Sequence, residues 1–130
     1  MTADVLVIDD EPVVREAVRR VLEGDGLRVA GAEDGASGLA HPAARACRLV
    51  LCDLMLPDLS GTEVLRSLHA ERPELPIVLI TGFATPDHAL RAREAGAIDF
   101  LAKPFEASVL LDVVRRALAV GAAAGKGGRS

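Results

Sequence analysis

Short apolar runs alternate along this chain with segments of helical spacing, and that alternation leaves little choice of fold. The runs are VLVI at Val5–Ile8, LVLC at Leu49–Cys52, IVLI at Ile77–Ile80 and IDFLA at Ile98–Ala102, with a weaker fifth, LRVA, at Leu27–Ala30. Each is too short for a helix and rich in Val, Ile and Leu, as strands buried on both faces are. Between them lie stretches whose apolar residues recur at helical spacing, such as Val14, Ala17, Val18, Val21 and Leu22. Strands separated by helices run parallel, because each helix carries the chain back along the sheet.

The expected helices follow from their punctuation. The first runs from Pro12, a favoured first-turn residue, to Glu23, and Gly24 and Gly26 stop it. The second, Ala36 to Ala46, contains Pro42, which removes a backbone donor and presses on the Gly38 carbonyl, so a short, kinked or broken helix is expected. The third spans Gly61 to Arg72 and ends before Pro73. The fourth starts with Thr85 as cap and Pro86 in the first turn, and it ends at Gly96. The last runs from Ala107 to Val120. Connections are short, so the expected class is α/β: a doubly wound, five-stranded parallel sheet of order 2-1-3-4-5, flavodoxin-like. Residues 1–120 would form that domain, and residues 121–130, GAAAGKGGRS, a flexible Gly/Ala-rich tail or the start of a linker.

In a parallel sheet the carboxyl ends of all strands lie along one edge, where ligands bind. Here that edge receives Asp9 and Asp10 after the first strand, Asp53 after the third, Thr81 after the fourth and Lys103 after the fifth. Two carboxylates about 4 Å apart repel by roughly 4 kcal/mol at an effective dielectric near 20, so three cannot all stay ionised unaided. Either one takes up a proton or a cation sits among them. Oxygen donors in a shallow site suit Mg²⁺, and the absence of His and Cys from the cluster disfavours zinc. Asp53, central among the strands, is the expected nucleophile towards phosphorus. Thr81 and Lys103 would donate to the transferred oxygens.

Composition excludes several alternatives. A formal charge of −4 argues against direct nucleic-acid binding. The two cysteines, Cys47 and Cys52, are expected reduced and buried, and no run reaches membrane-spanning length, so a cytoplasmic domain without a membrane role is expected. His41, His69 and His88 have no convergent partners and are expected exposed or locally bonded. A phosphatase of the haloacid dehalogenase type would want a second aspartate two residues after the first, where Met55 stands. A flavin module would want a phosphate loop after the first strand and an aromatic to stack on, yet the chain has neither Trp nor Tyr.

The segments VLVIDDEP, LCDLMLPDLSG, LITG and DFLAKPF, in this order and spacing, resemble the response-regulator receiver domain of bacterial two-component signalling, including the chemotaxis-regulator type. The resemblance covers Val5 to Val120. It implies a signalling switch rather than an enzyme, catalysing only its own aspartyl phosphorylation and dephosphorylation. Asp53 would accept a phosphoryl group from a sensor histidine kinase or phosphotransfer protein. Asp10 would bind Mg²⁺ directly, Asp9 mainly through water, and Met55 through its backbone carbonyl. Thr81 and Phe100 would be the switch pair, Lys103 the salt-bridge partner of the phosphoryl group, and the Lys103–Pro104 bond cis. Met55 and Phe83 match positions that tune phosphoryl lifetime, and Asp58 reads as a solvated turn acid.

The last helix carries more apolar surface than one core-facing stripe needs. Beyond Leu110, Val114, Ala117 and Leu118 it has Val109, Leu111, Val113 and Val120. A homodimer or output-domain contact through the fourth helix, fifth strand and fifth helix is therefore expected. The loose likeness of LITGFAT through DFLAKPF to receivers on DNA-binding regulators offers a second reading, a receiver belonging to a larger transcription factor.

Overall fold

Alternation along each strand sends successive side chains to opposite faces of one sheet, and each face has its own core. The structure is a computed structural model that describes residues 2–82 and 85–127, with side chains as far as Ala122. Its strands are β1 (Val5–Ile8), β2 (Val29–Ala32), β3 (Leu49–Asp53), β4 (Ile77–Thr81) and β5 (Asp99–Ala102). They pair in parallel in the order β2-β1-β3-β4-β5, with Val5 opposite both Val29 and Leu49, Val50 opposite Ile77 and Val78 opposite Asp99. The expected class and strand order are both observed.

The helices are α1 (Pro12–Gly24), α2 (Gly35–Ala40), α3 (Gly61–Glu71), α4 (Pro86–Ala95) and α5 (Ala107–Gly127), with a 3₁₀ turn at Pro42–Arg45. Val5, Val7, Leu49, Leu51, Val78 and Ile80 face α1 and α5, meeting Val18, Leu22, Leu110, Val113, Val114 and Ala117. Leu6, Ile8, Val50, Cys52, Ile77 and Leu79 face the other way, onto Val64, Leu65 and Leu68 of α3 and Ala92 of α4. With the three central strands fully buried, their near-continuous apolar runs are what burial on both faces requires.

Three local boundaries differ from the sequence reading by more than one residue. β2 begins at Val29 rather than Leu27, because Gly26 at φ 86° and the bond from Leu27 N–H to the Leu22 carbonyl still belong to the end of α1. The second helix stops at Ala40, and Pro42 opens a separate 3₁₀ turn. Proline lacks the N–H that would have continued the helix, and His41 Nδ1 accepts from Ala43 N–H as the 3₁₀ turn begins. α5 continues past Val120 to Gly127, so residues 121–127 are helical rather than a loose tail; the alanines at 122–124 favour this. On α5, Val113 joins the core stripe, while Val109 and Val120 stay exposed.

Gly61, the first residue of α3, is where the backbone has no space to spare. A Cβ there would sit 2.5 Å from the Asp53 carbonyl oxygen and 2.8 Å from Leu54 Cα, both backbone atoms. Gly24, at the end of α1, has nothing within 4 Å. Gly61→Ala is therefore expected to lower stability by about 1–3 kcal/mol, whereas Gly24→Ala should raise it by about 0.5–1 kcal/mol. Thermal unfolding of both variants measures the difference in sign.

Candidate functional site

The carboxyl ends of β1, β3, β4 and β5 bring the expected residues together. Asp9 leaves β1 with its N–H bonded to the Ala32 carbonyl at 3.0 Å, and its own carbonyl accepts from the Arg15 guanidinium at 2.6 Å. Asp53 ends β3, where Leu54 N–H bonds the Ile80 carbonyl. Lys103 is set beside β4 by the bond from its N–H to the Thr81 carbonyl at 2.8 Å. Asp9 is 0% exposed, Asp53 6% and Thr81 1%, while Asp10 and Glu11 are open to solvent.

Lys103 Nζ holds this edge together. It lies 2.9 Å from Asp9 Oδ2, 2.8 Å from Glu11 Oε1 and 2.9 Å from Asp53 Oδ2. Towards Glu11 and Asp53 the ammonium donates proper hydrogen bonds. Its contact with Asp9 is an ion pair, and among the described residues the buried Asp9 Oδ2 has no hydrogen-bond donor. The other oxygens are held by backbone: Asp9 Oδ1 accepts from Glu11 N–H at 2.9 Å and Asp53 Oδ1 from Met55 N–H at 3.0 Å.

Charge follows from this geometry. Burial pushes the Asp9 carboxyl above the usual carboxylate range, against the pull of Lys103. Burial also works against the Lys103 ammonium, but its hydrogen bonds to Asp53 and Glu11 and its ion pair with Asp9 outweigh that and hold its pKa above the ordinary lysine value. One oxygen from each of Asp9, Asp10, Glu11 and Asp53 lies within 4.8 Å of the others. One ammonium thus faces four carboxylates, and a buried oxygen lacks a donor. An all-oxygen cluster of this kind fits a hard divalent cation.

Two acids have roles the sequence reading missed. Glu11 was not singled out, yet it completes the ring around Lys103; its only signal was its place as the third acid of DDEP. Asp58, read as a solvated turn acid, is exposed but also accepts from the N–H groups of Gly35 and Ala36 on α2 at 2.8 Å each. Those backbone donors, Ala36 first, hold its carboxyl below the usual range. Phe100 is half-buried on β5 and packs against the α3–α4 side of the core. The Lys103–Pro104 peptide is cis. Phe83 lies outside the described residues. His41 and His69 are locally bonded, His69 to the Leu75 carbonyl, and both cysteines are buried and free.

A cavity of about 480 Å³ opens at the opposite edge of the sheet between Cys47, Arg72, Pro76 and Leu118. Of the two arginines lining it, Arg72 donates to the carbonyls of Ala44 and Cys47 and Arg48 pairs with Asp4.

Residues 5–115 match the family described as the response regulator receiver domain. The chain belongs to this family. Among curated relatives it is 42% identical over 116 residues to the C4-dicarboxylate transport transcriptional regulatory protein DctD of Pseudomonas aeruginosa, covering 89% of this chain and 25% of that protein. It is 37% identical over 115 residues to the KDP operon regulator KdpE of Escherichia coli, covering 88% of this chain and 51% of that protein. Among solved structures, NtrX of Brucella abortus superposes with a TM-score of 0.90 at 38% identity, over 98% of this chain and 30% of that one. A CheY-like receiver domain from Methanospirillum hungatei superposes with a TM-score of 0.83 at 28% identity, over 93% and 97% of the two chains. The protein is thus a receiver domain of two-component response regulators, and it spans about a quarter of the length of DctD.

A receiver with this acid cluster should gain stability from Mg²⁺. At a hundredfold excess over its dissociation constant the gain should be about 2.7 kcal/mol, read as a rise in melting temperature. Asp10→Asn should remove most of it, and an equal rise in both proteins would contradict a ligand role for Asp10.

Proposed function

We propose that Asp53 is the phosphoryl acceptor of this receiver, and that the domain is a switch whose own carboxylate is the substrate. The observation that carries this reading is the contact of Asp53 Oδ2 with Lys103 Nζ at 2.9 Å, at a strand end crowded with acids. A carboxylate oxygen of Asp53 attacks the phosphorus of a phosphohistidine on a sensor kinase or phosphotransfer protein. The new O–P bond forms as the P–N bond breaks, and the electron pair stays on the imidazole, which takes up a proton from water. The attack uses a lone pair of the carboxylate oxygen, so no general base is needed.

Asp9, Asp10, Asp53 and the Met55 carbonyl would hold a Mg²⁺ ion. When bound, that ion supplies charge neutralisation for the acids and for the transferred oxygens. Lys103 pairs with the phosphoryl group, and the Thr81 hydroxyl closes on it. Phe100 then shifts against the core face it already touches, altering the surface of α4, β5 and α5, where Leu90, Val109 and Val120 stand exposed. That surface would meet a second copy or an output domain. Beyond its own phosphorylation and dephosphorylation the domain catalyses nothing, and it works in the cytoplasm, with residues 1–120 as the receiver and the remainder leading towards an output. Among the described residues no helix is long and apolar enough to cross a membrane.

A second reading makes this the receiver of a larger DNA-binding regulator. It is supported by the names of the relatives, which are transcriptional regulators of which this chain spans 25% and 51%. The receiver itself would then contact no DNA, in keeping with its acidic charge.

Incubation with acetyl phosphate and Mg²⁺, followed by peptide mapping, tests the acceptor. Label is expected on the peptide containing Asp53 and absent after Asp53→Ala. Undiminished label in that variant would overturn the assignment.

A further inference from the structure

The loop between β3 and α3 carries Met55, and it is fastened at three places. At its base Met55 N–H bonds Asp53 Oδ1 at 3.0 Å. At its far end Gly61 N–H bonds the Leu54 carbonyl at 2.7 Å, and Met55 and Ser60 form an isolated antiparallel bridge. The third fastening is at the apex and lies outside the loop. Asp58 Oδ1 accepts from Gly35 N–H at 2.8 Å and from Leu59 N–H at 2.9 Å, and Oδ2 accepts from Ala36 N–H at 2.8 Å. Gly35 and Ala36 are the first two residues of α2; the next donor, Ser37 N–H, goes to Asp34 at 2.7 Å. Every donor of that first turn is therefore satisfied by one of two acids, of which only Asp58 belongs to the loop.

Packing makes the same junction independently. A Cβ on Gly35 would lie 2.8 Å from Leu59 Cδ1, 2.9 Å from Leu59 Cβ and 3.1 Å from Asp58 Oδ1. Only glycine lets the apex close onto α2 this tightly. The helix is short and contributes little stability of its own, so loop and helix each depend on the junction.

We propose that Asp58 is a positioning residue that ties the Met55 loop to α2, so that cation binding at Asp53 and the ordering of α2 favour one another. This rests on the reading of Asp53 and Met55 as a Mg²⁺ site. Because coupling is reciprocal, loosening the junction weakens Mg²⁺ binding, and binding Mg²⁺ protects the amides of Gly35 and Ala36 from exchange.

The test compares Asp58→Ala with Asp34→Ala. Both remove an acceptor from the first turn of α2, but only the first releases the loop. Mg²⁺ dissociation constants come from amide chemical-shift titration, and hydrogen exchange is followed at Gly35 and Ala36. Asp58→Ala should weaken Mg²⁺ by roughly fivefold or more, with Asp34→Ala close to wild type. Gly35→Ala, which keeps Asp58 but pushes Leu59 away, should weaken it too and serves if Asp58→Ala does not fold. Wild-type affinity in both loop variants, or equal weakening in Asp34→Ala, would overturn the coupling. Failure of the wild-type protein to bind Mg²⁺ would instead remove the metal-site reading, and the coupling with it.

Discussion

The contact of one ammonium with three carboxylates is what allows this sheet to end as it does. Asp9 and Asp53 are buried at the strand ends and Glu11 stands at the rim, all within 2.9 Å of Lys103 Nζ. Without that charge the acids would repel one another by several kcal/mol at the low effective dielectric of a half-buried site. With it the cluster remains strongly negative, since Asp10 adds a fourth acid. The site is therefore held short of neutrality, and a cation or an arriving phosphoryl group would change where Lys103 is best placed.

That arrangement depends on the parallel sheet. Only when β1, β3, β4 and β5 all run the same way do residues 9, 53, 81 and 103 reach a single edge. The two faces of the sheet are filled by different helices, which leaves the edge residues free of packing duties. Asp9, Asp53 and Thr81 are nevertheless buried there, and among the described residues Asp9 Oδ2 has the Lys103 charge beside it but no hydrogen-bond donor. An oxygen so placed, buried beside other carboxylates, fits a hard cation.

Much of this was legible from residue order alone. Strand ends were readable because β-branched runs stop at a polar residue, and the parallel arrangement then set Asp53 near Asp9 with no alignment needed. Pro42 announced its break through the donor it lacks. What escaped was cross-chain geometry between loops. Glu11 sits next in sequence to the two recognised acids, but its reach to Lys103, 92 residues away, depends on how β5 ends. Asp58 is of a residue type common in turns, and nothing in LPDLSG says that its carboxylate will cap a helix 22 residues earlier. The length of α5 was missed for another reason: glycines at 121 and 125 read as a linker, while the alanines between them favour helix.

Lys103 should follow the charge when it moves. A crystal structure of the domain with Mg²⁺ and beryllofluoride observes this directly. The fluoroberyllate is expected on the Asp53 carboxylate, with the Lys103 ammonium on one of its fluorines and withdrawn from Glu11. A structure in which Asp53 stays unmodified, and Lys103 still spans Asp9, Glu11 and Asp53 under saturating reagent, would contradict Asp53 as the acceptor and Lys103 as its partner.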